Sequence, residues 1–183
     1  SVRGIFGKGK LSTLIQEVEE FDEKIVLTNL RRLQSDKQYE KLINAADGRI
    51  KLFPNELEAY IHLIRANYLI NNYYQCIAIC EELLLLDEEN INAIRFIARS
   101  YNNLQNHKKS IDSFLKILEL FPEDQDAIIM LIRSYFKEEK YEECIETCEK
   151  MLLIDDSNVV ATKFILRSNY NLGNNEKTVV KLL

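Results

Sequence analysis

LEAYIHLIRANYLINNYYQCIAICEELLLLDEEN, residues Leu57–Asn90, holds two apolar stripes of helical spacing separated by a turn. Ala59, Tyr60, Leu63, Ala66 and Asn67 fall three and four apart, which places them on one face of a first helix. Asn71 and Asn72 supply the turn, and Cys76, Ile77, Cys80, Leu83 and Leu84 mark the inner face of a second helix. The next stretch repeats the scheme with Ala93, Ile94, Ile97 and Tyr101, then Asn106, then Ser110, Ile111, Phe114, Ile117 and Leu118. Working outward, arginine returns at every thirty-fourth residue, at Arg31, Arg65, Arg99, Arg133 and Arg167, without insertion or deletion. A strict period of this size means a stack of one supersecondary unit.

Placing the arginines in register divides the chain into units 23–56, 57–90, 91–124 and 125–158, with a partial unit 159–183. Position 3 then holds Ile25, Ala59, Ala93, Ala127 and Ala161, and position 21 holds Ile43, Ile77, Ile111, Ile145 and Val179. Tyr39, Tyr73 and Tyr141 recur at position 17. Pro54 and Pro122 stand at position 32, Leu63 and Leu131 at position 7, Tyr101 and Tyr135 at position 11, and Phe114 at position 24. On these residues the chain, from about 23 to 183, resembles the tetratricopeptide repeat family. The resemblance implies an all-α fold: an α-solenoid of about nine antiparallel helices in a right-handed superhelix. The sequence departs from the family's pattern in having no Trp and in placing Leu30, Ile64, Ala98, Ile132 and Leu166 at position 8, usually glycine. Cys76 and Cys144 take the small residue's place at position 20, and position 27, often alanine, carries Arg49, Leu83, Ile117 and Met151. The period and the prolines favour this family over thirty-five-residue RNA-reading repeats. A weaker double period is also present, Tyr73–Asn90 matching Tyr141–Asn158 better than either matches the unit between.

The 183 residues are 46% hydrophobic and 29% charged with a net charge of −5, enough for a real core and a soluble surface. Five glycines and two prolines are too few punctuators for a sheet protein. No apolar run reaches the length of a membrane span. Residues 1–12, with Arg3, Lys8 and Lys10 among glycines, read as a flexible basic leader. Thr13 and Gln16 form a capping-box pattern that opens a helix through Leu14, Val18, Phe21 and Ile25, so 13–22 is expected to extend the first repeat helix as an N-terminal cap. A start at Ser1 and an end at Leu182 and Leu183, inside a second helix, mark the chain as an expected fragment of a longer protein.

Cys76 and Cys80, and Cys144 and Cys148, are i, i+4 pairs with the look of zinc ligands. The pairs lie two units apart, about 20 Å at roughly 10 Å per packed helix, too far to close one tetrahedral site. His62 and His107 fall on other faces. The expectation is four buried free thiols, no metal and no cofactor, in a reducing, cytoplasmic setting. Gly4, Gly9 and Lys10 fit G-x-x-x-x-G-K, but Leu11 replaces the magnesium-binding hydroxyl and no strand precedes it. No nucleophile, base and orienting group can be assembled from two histidines in unlike places, so the chain reads as noncatalytic.

In the resembled family, first-helix positions 2, 5, 6, 9, 12 and 13 line a concave groove, and the recurrent arginines occupy position 9. One turn earlier on the same helix stand Leu27, Ile61, Arg95, Ile129 and Lys163, none of them an acid that would neutralise the arginine. Acids collect instead on second helices, as in Glu142, Glu143, Glu146 and Glu149. The alternative is structural ion pairing, with Glu58 or Asp126 of the following unit as candidate partners. Tyr68, Phe136 and Tyr170 at position 12, with Asn102, Asn103 and Asn171 nearby, add stacking faces and amides. The expected groove therefore comprises Arg65, Tyr68, Arg95, Arg99, Asn102, Asn103, Arg133, Phe136, Lys163, Arg167 and Tyr170. It suits an acidic, extended protein or peptide partner, and also an anionic glycan. Nucleic acid is disfavoured by the acidic chain and the single line of basic residues. The Lys and Asn set that clamps a terminal carboxylate in chaperone-adaptor repeats is absent from its usual places. The chain reads as a protein-interaction scaffold or adaptor, with the substrate-holding module of a larger enzyme acting on an anionic polymer as the alternative.

Overall fold

The computed structural model describes residues 24–174. Expectations for the basic leader, the cap at 13–22, the Gly4–Lys10 run and the second helix of the partial unit lie outside them. The described helices are α1 (24–35), α2 (Tyr39–Leu52), α3 (Leu57–Leu69), α4 (Tyr73–Leu86), α5 (Ile91–Asn103), α6 (His107–Leu120), α7 (Gln125–Lys137), α8 (Tyr141–Ile154) and α9 (Val159–Asn171). There are no strands among these residues. The helices α3, α5, α7 and α9 start at position 1 of their units, and α2, α4, α6 and α8 at position 17, so the arginine register locates every boundary.

Local chemistry explains the boundaries. Position 34 is the N-cap of the following first helix: Asn90, Asp124 and Asn158 accept hydrogen bonds from the backbone N–H groups of Ala93, Ala127 and Ala161 at 3.1, 2.9 and 3.0 Å. First helices stop at position 15, where Lys37, Asn71, Gln105, Glu139 and Gly173 take positive φ of 56, 63, 60, 58 and 75°. The next N–H then reaches back to the last turn, as from Asn106 to the Tyr101 carbonyl at 2.9 Å and from Lys140 to that of Tyr135 at 3.0 Å.

By contacts the chain divides into two compact units, Ser1–Asn71 and Asn72–Leu183, a division that falls at the turn inside the sequence unit 57–90. In the first, α2 packs on α3. In the second, each helix from α4 to α9 packs on the next and α7 also meets α9, the pattern of stacked helix pairs. Position 3 is small because that stacking leaves room only for a methyl group: Ala93 and Ala161 are fully buried and Ala127 nearly so. Ile94, Ala98, Phe114, Ile117 and Leu131 form one core cluster, and Ile132, Cys144, Cys148, Met151 and Ile165 another.

The four cysteines are buried, as expected for core packing, and none is in a disulfide among the described residues. Cys144 donates weakly from its thiol to the Ile132 carbonyl at 3.5 Å, where its counterpart Ser110 donates to the Ala98 carbonyl at 3.0 Å, so position 20 ties α8 and α6 to the first helices of their units. Hydrogen bonding to Cys76, and then burial, push the Cys80 thiol far up, so it stays neutral and unreactive. Among the described residues no cluster of three or more His, Cys, Asp or Glu is placed to hold a metal ion. Replacing Cys80 by serine is expected to cost about 1–3 kcal/mol, because a hydroxyl desolvates at greater cost than a thiol in that apolar site. Thiol labelling of the wild-type protein should become fast only under denaturing conditions. Fast labelling of the native protein would mean that the helix pairs open.

Candidate partner-binding site

Four position-9 arginines, Arg65, Arg99, Arg133 and Arg167, have no carboxylate within ion-pair distance among the described residues. Arg31 differs: its guanidinium donates to Glu58 Oε1 at 2.7 and 3.0 Å, the pairing across units anticipated for Glu58. The corresponding Asp126 is exposed and takes no arginine. With Arg31 63% and Glu58 37% exposed, that pair contributes about 1 kcal/mol at most.

Within the first unit, Arg31, Gln34, Glu58, Ile61, His62 and Arg65 line a cavity of 380 Å³. Glu58 offsets Arg31 there, leaving Arg65 as its uncompensated cation. His62, assigned by sequence to an unrelated face, is buried beneath this cavity. Its Nδ1 lies 2.8 Å from Gln34 Oε1, and its Nε2 lies 3.6 Å from Glu58 Oε1. Burial pulls the imidazole below its usual range, against the opposing pull of Glu58. A base whose pKa falls on folding is protonated more readily when unfolded, so its contribution is complete above about pH 6.5 and is lost as pH drops through the lowered value. The thermal midpoint should therefore fall between pH 7 and pH 5, and His62→Gln should flatten that dependence. An unchanged slope in the variant would assign it to other groups.

In the second unit Arg99 is half-buried and Arg133 exposed, its guanidinium 3.9 Å from the Met130 sulfur. Arg167 lies over the Phe136 ring at 4.5 Å and the Phe164 ring at 5.4 Å, held by cation–π attraction with its charge outward. Phe136 is fixed in turn by edge-to-face contacts with Phe164 and Tyr141, at 5.2 and 5.5 Å. Phe136, Leu166, Arg167, Tyr170 and Asn171 line one cavity of 270 Å³, which brings together three residues of the expected groove, Phe136, Arg167 and Tyr170, with the nearby Asn171. Tyr170 and Lys163 are exposed. Asn102 is half-buried, with its side-chain oxygen 3.2 Å from His107 Nδ1, and Asn103 is exposed. Tyr68 is half-buried on α3, in the first unit.

Arg95 does not stand as the open groove cation expected from its position. Its guanidinium is paired with both oxygens of Asp124, the residue that caps α7, and the two side chains are only 26% and 12% exposed. An acid twenty-nine residues away lies beyond any within-helix spacing, so the i, i+4 rule gave no sign of it.

No protein-family model matches this sequence, and no curated protein matches it either. Solved structures do. A MamA protein superposes with a TM-score of 0.78 at 18% identity, covering 85% of both chains. MamA from Desulfovibrio magneticus RS-1, from residue 41 to its end, gives 0.77 at 15% identity over 85% of this chain and 88% of that one. YrrB, described as a TPR protein with an unusual peptide-binding site, gives 0.75 at 17% identity over 90% and 86%. Likeness at these identities establishes the fold: this is an all-α protein of helix-turn-helix repeats of the tetratricopeptide type. Among the described residues no helix is long and apolar enough to cross a membrane.

Proposed function

We propose that this chain is a noncatalytic protein-interaction module whose first-helix face binds an extended acidic segment of a partner protein. The observation that carries the reading is the set Arg99, Arg133 and Arg167 on α5, α7 and α9, none neutralised by a carboxylate among the described residues. Such guanidinium groups are weakly hydrated forks suited to carboxylates, and the Phe136, Arg167 and Tyr170 cavity adds an aromatic wall. Arg65 contributes separately, in the cavity of the first unit. YrrB, of the same fold, is described as having a peptide-binding site, which makes a peptide the preferred ligand class over an anionic glycan. The role of scaffold or adaptor follows from this reading.

The test is binding of a fluorescent poly-glutamate peptide to the purified chain and to an Arg99→Glu, Arg133→Glu double variant. The wild type should bind with an affinity that falls as salt rises, because exposed ion pairs are screened over about 8 Å at physiological ionic strength. The variant should lose binding while its helical signal is retained; exposed Arg133 should shift stability by less than about 0.5 kcal/mol and half-buried Arg99 by about 1 kcal/mol. Unfolding of the variant would assign the arginines a structural role, and retained binding would place the site elsewhere.

A further inference from the structure

The second helices carry a different surface. Between α6 and α8, floored by α7, runs a groove of 630 Å³. Leu115 and Leu118 form one wall, Leu153 and Ile154 the other, and Ile128 and Leu131 the floor. Leu153 is 88% exposed and Leu115 39%, so apolar surface is open to water there. Leu153 at least buries little of its side chain in the fold, and with Leu115 and Ile154 it makes the apolar surface contiguous.

The repeat supplies its own control. The same place one unit earlier is a smaller groove of 310 Å³. There Glu81 stands where the larger groove has Leu115, Glu88 where it has Pro122, and Lys109 where it has Glu143. Lys109 lies over the Tyr101 ring at 5.0 Å and lines that smaller groove, whereas Lys140, the lysine over the Tyr135 ring at 5.9 Å, is not among the residues lining the larger one. The stacking of helix pairs creates a furrow in both places, but the earlier one has Leu84 as its single leucine where the later one has Leu115, Leu118, Leu131 and Leu153.

The rim has a sign. Glu119, Glu143 and Glu146 face the groove against Lys150, with Lys140 in a long, exposed contact to Glu143 at 3.9 Å. Burial, and then the carboxylates of Glu143, Asp112 and Glu146, push the Tyr135 phenol at the groove floor up.

We propose that this groove docks an amphipathic helix of a partner protein, with apolar side chains set between α6 and α8 and flanking lysines or arginines meeting Glu119, Glu143 and Glu146. A helix suits this groove because its leucine and isoleucine walls offer no donor or acceptor to the backbone of an extended chain, unlike the guanidinium and amide groups of the arginine face. An extended segment would bury its own N–H and C=O groups unpaired against Leu115, Leu118 and Leu131, whereas a helix brings its backbone satisfied. Apolar anchors at i, i+4 and i+7 suit a furrow between two helices. This partner is opposite in charge to the one proposed for the arginine face, so the two sites do not compete.

The experiment uses two synthetic helical peptides sharing a leucine stripe at i, i+4 and i+7, one with lysine and one with glutamate at its flanks. Affinity is read by fluorescence anisotropy and location by methyl chemical shifts. The lysine peptide should bind and perturb Leu115, Leu118 and Leu153, with the glutamate peptide much weaker. Leu153→Lys, at a site too exposed to affect folding, should weaken binding about tenfold or more. Arg99→Glu with Arg133→Glu should leave it unchanged, which separates this site from the arginine face. Equal affinity for both peptides, indifference to Leu153→Lys, or a footprint confined to other helices would overturn the proposal. Self-association of the chain that Leu153→Lys abolishes would also overturn it, by making a second copy the occupant.

Discussion

Replacing Arg49 by methionine is expected to destabilise the first unit by about 3–5 kcal/mol, because it leaves the Glu56 carboxylate without a partner where water cannot replace it. Arg49 stands at position 27, where Leu83, Ile117 and Met151 of later units are fully buried. A guanidinium in that core position persists because Glu56 receives Nε at 2.5 Å, with both side chains only about a tenth exposed, and because Phe53 lies 3.7 Å beneath the guanidinium carbon. Glu56 occupies position 34, which in three later units caps the following helix by accepting from the backbone; here its side chain serves the arginine and makes no cap. The pair is thus a matched departure from the repeat pattern. Restoring that pattern at both places, Arg49→Met with Glu56→Asn, should recover most of the loss or exceed wild-type stability, since a buried ion pair seldom outperforms well-packed apolar residues. Denaturant unfolding of the four proteins of the cycle, with amide exchange of 39–69 reporting on the first unit, gives the coupling directly. A single-variant loss below about 1 kcal/mol would show that water reaches the pair.

These residues also show where sequence stops being informative. The thirty-four-residue register located α3, α5, α7 and α9 because burial of one face repeats with the helix pairs, and periodicity records burial. The left-handed residue at position 15 was legible at Asn71 and not at Lys37, Gln105 or Glu139, because backbone hydrogen bonds hold that conformation with little help from the side chain. Arg49–Glu56, Arg95–Asp124 and His62–Gln34 join residues seven, twenty-nine and twenty-eight apart, so no rule of helical spacing reaches them. At the candidate site, residue type indicated which arginines lacked a neighbouring acid on their own helix. Whether a following unit supplied one depended on three-dimensional placement: Glu58 does for Arg31, and Asp126 does not for Arg99. The apolar furrow between α6 and α8 went unread for a related reason. Leu153 falls on the charged face of α8 with Glu146, Glu149 and Lys150, and its exposure shows that nothing of the described chain covers it.

Truncating Phe114 to alanine should produce a loss of similar size, about 3–5 kcal/mol, in the second unit. Phe114 is 2% exposed and packs in one cluster with Ile94 and Ala98 of α5, Ile117 of α6, and Ala127 and Leu131 of α7, so three helices share its ring. Its neighbours cannot easily collapse into the vacancy. Ala98 and Ala127 carry only methyl groups on helices whose separation is fixed by N-caps and left-handed turns at either end. A stacked-repeat protein adds a further consequence, because stability there is a sum of repeat and interface contributions, and weakening one interior interface uncouples what lies on either side. Amide exchange in Phe114→Ala should therefore accelerate most in α5, α6 and α7, and less in α8 and α9, whose Met151 and Ile165 belong to a separate cluster. Phe114→Leu, which keeps most of the volume, should cost far less, about 1 kcal/mol. Equal losses from the two substitutions would mean that the aromatic ring, rather than the filled space, stabilises this junction, and uniform acceleration from α4 to α9 would mean that the second unit opens only as a whole.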